Sequence, residues 1–175
     1  MASNAYYNAG LEKASVRDLS GAIDCLKMSL RFNKRNTDAR NLLGLVYCEM
    51  GEVVAALTEW VISKNYQPKD NRASFYLDEI QQNKGKLEAV NQTIKKYNQA
   101  LIYCRQDSKD MAIIQLKKVV SLNPKFMRAH QLLALLYIDA EMWEKAVKIF
   151  DETSRLNLDK KQALINIISG ICKVI

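Results

Sequence analysis

The stretch TDARNLLGLVYCEMGEVVAALTEWVISKNYQP, residues 37–68, reads as two short antiparallel helices closed by a proline. Thr37 and Asp38 are candidate caps for the first helix. Leu42, Leu43, Val46 and Tyr47 follow at helical spacing and make one apolar face. Gly44 lies inside that helix, where glycine is about 1 kcal/mol worse than alanine, and its presence predicts the close approach of a neighbouring helix. Gly51 marks the helix end. Val53, Val54, Ala56, Leu57, Trp60 and Val61 supply the second helix. Small Ala56 is expected where the two helices cross, and large Trp60 where they diverge and leave a gap. Pro68 stops the second helix or lies just past it.

The pattern returns along the chain. Gly10, Gly44, Ala100 and Ala134 share a small slot, with separations of 34, 56 and 34 residues. Ala22, Ala56, Ala112 and Ala146 repeat those separations, and so do the bulky residues Leu26, Trp60, Leu116 and Phe150. Pro68 and Pro124 are also 56 apart. In this register small Gly44, aromatic Tyr47, small Ala56, bulky Trp60 and terminal Pro68 resemble the tetratricopeptide repeat. The resemblance covers about residues 3–70 and 93–158. It departs at Lys13, where Tyr47, Tyr103 and Tyr137 stand in the other repeats, and at Lys34 and Leu158, which replace proline. It implies an all-α, right-handed solenoid of helical hairpins with an irregular middle and a C-terminal capping helix.

The expected organisation is one domain over 1–175, with repeats at about 3–34, 37–68, 93–124 and 127–158. A degenerate repeat at 71–92 breaks the period. In that segment Lys69-Asp70-Asn71 reads as a turn and cap, and Phe75, Tyr76, Leu77 and Ile80 mark a helix of about three turns. From Lys86 to Cys104 the pattern runs as one long helix. A final helix at 160–174 is apolar nearly all round. Its Leu164, Ile165, Ile168 and Ile171 call for cover, from a continuation of the chain, from a second copy in a homodimer, or from deeper packing into the chain itself.

At 49% hydrophobic and 26% charged, with 6 glycines and 2 prolines in 175 residues, the composition is that of a helical globular chain. No 18-residue apolar run suggests a membrane span, and no basic-then-apolar leader opens the chain. The four cysteines, Cys25, Cys48, Cys104 and Cys172, form no CxxC pair, and His130 is the only histidine. No zinc site is expected from such spacing, and the thiols read as small buried or half-buried residues of a cytoplasmic protein. There is no Gly-rich phosphate loop and no GxSxG motif, and a single histidine limits acid–base chemistry. The chain reads as no enzyme and implies no cofactor; His130 reads as a packing residue.

The resemblance implies a concave groove lined by first helices, binding a peptide or partner helix. Carried onto this chain, the groove residues are Tyr7, Leu11, Asn41, Leu45, Tyr97, Leu101, Arg105, Arg128, Gln131 and Leu135. Leu11, Leu45, Leu101 and Leu135 form an apolar row, with Tyr7 and Tyr97 as amphipathic anchors. Some relatives hold the C-terminal carboxylates of heat-shock chaperones with a lysine and asparagines. Here Tyr7 and Leu11 stand at the lysine and first asparagine, and Leu42 at the second, which argues against that mode. An apolar row favours an amphipathic helix or apolar segment. The formal net charge of +7, clustered at Lys84-Lys86, Lys95-Lys96, Lys117-Lys118 and elsewhere, leaves an alternative: a basic solenoid binding nucleic acid or another polyanion.

Overall fold

The computed structural model describes residues 1–156, without the side chains of Lys84 and Leu156. The expected final helix, with Leu164, Ile165, Ile168 and Ile171, lies outside the described residues. Among them the helices are α1 (Ala2–Ser15), α2 (Leu19–Phe32), α3 (Thr37–Glu49), α4 (Val53–Tyr66), α5 (Ala73–Gln82), α6 (Lys84–Arg105), α7 (Lys109–Leu122), α8 (Met127–Asp139) and α9 (Trp143–Leu156). Their contacts group into two compact units, Met1–Leu87 and the part from Glu88 onward.

In the first unit α1 pairs with α2 and α3 with α4; α2 lies against α3, and α5 against α4. Small residues set the spacing. A Cβ added at Gly10 would lie 2.8 Å from Leu26 Cγ, and one added at Gly44 would run into the Trp60 indole. The Trp60 indole lies directly on Gly44, so that position is small because the ring covers it. The indole Nε1–H donates to the Asn41 carbonyl at 3.2 Å, and Tyr76 of α5 packs on the ring at 5.1 Å between centroids. Leu43, Val46, Ala56, Ala73 and Leu77 complete this core. One buried polar knot joins α1, α2 and the start of α3. The Ser29 hydroxyl donates to the Ser3 carbonyl at 2.8 Å, and Asn36 Nδ2 donates to Ser3 Oγ at 3.0 Å. The next repeat rebuilds it, with Asn71 Nδ2 donating to Ser63 Oγ at 3.1 Å.

In the second unit Ala100, Ala112, Leu116, Val119, Ala129, Leu133, Ala134 and Tyr137 form a continuous core, extended by Ala146 and Ile149 of α9. The long helix expected from Lys86 to Cys104 is α6, which starts at Lys84.

Helix ends explain the boundaries. Asn36, not Thr37 or Asp38, caps α3, accepting from the Ala39 N–H at 3.0 Å. Asp18 caps α2, accepting from the Gly21 N–H at 2.9 Å. Ser108 stands at the N-cap of α7 but makes no side-chain cap bond. Inside every hairpin the chain turns through one left-handed residue: Arg17, Gly51, Asp107 or Glu141. The next N–H then reaches back to a carbonyl five residues earlier: Asp18 to Lys13, Glu52 to Tyr47, Ser108 to Tyr103 and Met142 to Tyr137, at 2.8–2.9 Å. This satisfies carbonyls at the helix end that would otherwise lack partners.

Candidate partner-binding surfaces

The first helices present the expected groove residues unequally. Leu11 on α1 and Leu45 on α3 are 45% and 37% exposed and stand 34 residues apart in the same slot of adjacent repeats. Tyr7 is half-buried. Asn41 is 9% exposed: its Nδ2 donates to Asn71 Oδ1 at 2.8 Å, while its own Oδ1 has no partner among the described residues. Asn71 Oδ1 also accepts from the Ala73 N–H, so Asn41 ties α3 to the start of α5. In the second unit Leu101 is half-buried, and Leu135 packs against the core. Tyr97 tilts against Phe126 at 5.0 Å and is a packing residue as much as an anchor. Gln131 is half-buried, and Arg105 and Arg128 are exposed.

His130 is buried, with Nε2 2.8 Å from the Pro124 carbonyl and Nδ1 4.0 Å from the Glu152 carboxylate. It ties α8 to the proline turn before it. Cys25, Cys48 and Cys104 are half-buried, and burial pushes the Cys104 thiol up, away from the reactive thiolate. Among the described residues no group of three His, Cys, Asp or Glu side chains is placed to hold a metal, and no helix is long and apolar enough to cross a membrane.

A second surface lies between α6 and α7. A cavity of about 500 Å³ is lined by Gln92 and Lys96 of α6 and by Ile114, Lys117, Lys118, Ser121 and Leu122 of α7. The repeat register shows what differs there. In the first repeat Tyr6 stacks on Phe32 at 5.5 Å. In the second the equivalent pair is Arg40 over the Tyr66 ring, also at 5.5 Å, and Arg40 is held by Glu59 at 2.6 Å. In the third the equivalents are Lys96 and Leu122, and Glu59 is replaced by Gln115. The aromatic plug and the carboxylate are both gone. Sequence reading singled out Lys95-Lys96 and Lys117-Lys118 as basic clusters but not as the lining of one cavity; the signal was the missing aromatic at position 122.

Each unit is thus a stack of helical hairpins in the tetratricopeptide register. No family model matches the chain. Over 66 residues it is 36% identical to the BBSome complex member bbs-4 of Caenorhabditis elegans, a match spanning 38% of this chain and 14% of that protein. Among solved structures, MamA from Desulfovibrio magneticus RS-1 is 22% identical, with 89% of this chain and 94% of that one covered and a TM-score of 0.43. A thermophilic TPR protein of Thermus thermophilus is 15% identical, with 98% and 100% covered and a TM-score of 0.40.

Proposed function

We propose that the chain is a non-catalytic protein–protein interaction scaffold that takes an apolar segment or amphipathic helix of a partner along α1 and α3. The observation that carries this reading is the pair Leu11 and Leu45. The slots that build the core are closed, yet this slot holds an exposed leucine in two adjacent repeats. Leucines left in water at matched positions on rigid helices gain from being covered, roughly 25 cal/mol per Å² of apolar area. A rigid helix stack loses little ordering entropy on binding, so a short segment can reach micromolar strength, on the order of −8 kcal/mol. In the second unit the corresponding positions hold the half-buried Leu101 and Leu135, with Arg105 exposed and Gln131 half-buried.

The test is a double variant, Leu11→Glu with Leu45→Glu. Both side chains already face solvent, so thermal melting should be unchanged. Proteins captured by the wild-type chain should be identified and their affinities measured by calorimetry. At least a tenfold loss, about 1.4 kcal/mol, is expected in the variant. Undiminished affinity removes the groove reading.

A further inference from the structure

We infer that the third repeat carries a separate docking site, the cavity between α6 and α7, which takes an acidic peptide segment bearing an aliphatic side chain. The inference rests on the reading of the chain as a protein scaffold but uses a surface distinct from Leu11 and Leu45.

The cavity coincides with a substitution in the repeat pattern. At this position Tyr6 stacks on Phe32 in the first repeat, and Arg40 lies over the Tyr66 ring in the second. Lys96 and Leu122 in the third stand at a solvent-open concavity of about 500 Å³. Its charge is also particular to the third repeat. The slots of Ile114, Lys117 and Lys118 hold Asp24, Lys27 and Met28 in the first repeat, Thr58, Val61 and Ile62 in the second, and Lys148, Asp151 and Glu152 in the fourth. Only the third gathers cations there without a carboxylate, and it also exchanges the Glu59 carboxylate for the Gln115 amide.

Three lysine ammonium groups around one concave site call for carboxylate or phosphate oxygens. Two further features select between these sources. Ile114 and Leu122, 45% and 41% exposed, give the cavity an apolar floor that a phosphate would leave wet. No aromatic side chain lines it, so nucleobases find no stacking platform. A peptide with carboxylates for Lys96, Lys117 and Lys118 and one leucine-like side chain for Ile114 and Leu122 satisfies both halves.

The experiment uses the full chain and a fluorescein-labelled peptide of glutamates and leucines, about twelve residues long, followed by anisotropy at two ionic strengths. Comparison probes are the same peptide with serine for leucine and a thymine oligonucleotide of equal length. The Glu/Leu peptide should bind, more weakly at higher salt. Lys96→Gln with Lys117→Gln and Lys118→Gln should weaken it at least about tenfold, three exposed ion pairs being modest singly but additive here. Leu122→Tyr, which restores the plug of the second repeat without removing charge, should weaken it comparably; if that variant misfolds, the lysine variant decides alone. Unchanged binding by the lysine variant overturns the proposal, as does equal binding of the serine peptide or tighter binding of the oligonucleotide. Leu11→Glu with Leu45→Glu should leave peptide binding intact. Loss there, with the cavity variants unaffected, overturns this site while sparing the scaffold reading; undiminished partner capture by that double variant, with peptide binding lost in the lysine variant, removes the groove reading and spares this site.

Discussion

A methyl group at Gly44 has nowhere to go but the indole of Trp60. Overpacking of this kind destabilises by about 1–3 kcal/mol, more than the roughly 1 kcal/mol that alanine gains over glycine in a helix. Gly44→Ala should therefore lower the urea midpoint. Trp60→Leu should lower it too, by opening a cavity on α3. The third repeat already uses Ala100 opposite Leu116, so the double variant rebuilds a pairing known to fit this register. It should be less destabilised than the sum of the singles by about 1 kcal/mol or more. Strict additivity would mean that the two residues are not one packing unit. The small slot is legible in sequence, since glycine and alanine recur at fixed separations. Which large side chain lies on each glycine is not, because it depends on how closely two helices 16 residues apart in register approach.

At the level of the helix, Asp18 closes the N-terminus of α2 through Gly21 and is paired with Lys13 Nζ at 2.7 Å. Lys13, a departure from the tyrosine of the other repeats, thus has a local purpose. Burial raises the Asp18 pKa, but the Lys13 hydrogen bond, the Gly21 N–H and the Lys13 charge together hold the carboxyl below its usual value of 3.8. A group whose folded pKa is lowered stabilises the fold fully above its unfolded pKa and loses that contribution as pH falls through the folded one. Asp18→Ala should cost about 1 kcal/mol at neutral pH. The gap to wild type should begin to narrow as the pH falls into the ordinary carboxylate range and go on narrowing as it passes the lowered folded pKa. A gap that stayed constant down to the lowest workable pH would show that the carboxylate charge contributes nothing. The turns between paired helices show where sequence reading stops. Gly51 announces a left-handed residue, but Arg17, Asp107 and Glu141 hold the same conformation without being glycine. Residues with a Cβ are strained there by roughly 1–2 kcal/mol. The back-bonded N–H groups that hold the turn impose the geometry, and they leave no mark on side-chain composition.

At the scale of the molecule, helix number and order among the described residues follow from the periodicity, because each repeat buries its apolar face against its neighbours. The candidate binding surfaces follow less fully. Leu11 and Leu45 are readable as outward leucines, whereas the burial of Asn41 depends on Asn71, 30 residues away. The lysine cavity becomes visible only when Leu122 is set beside the aromatic rings of Phe32 and Tyr66 in space. The packing also divides the two tryptophans between the units: Trp60 is 2% exposed in the first, and Trp143 is 60% exposed in the second. The native chain is therefore its own two-channel optical probe. Acrylamide should quench the longer-wavelength emission of Trp143 while sparing the blue-shifted emission of Trp60, giving a curved Stern–Volmer plot; a straight line would mean equal access to both rings. Followed through denaturation, the blue component reports the α3–α5 core alone, so the melting of one unit can be watched with no label attached.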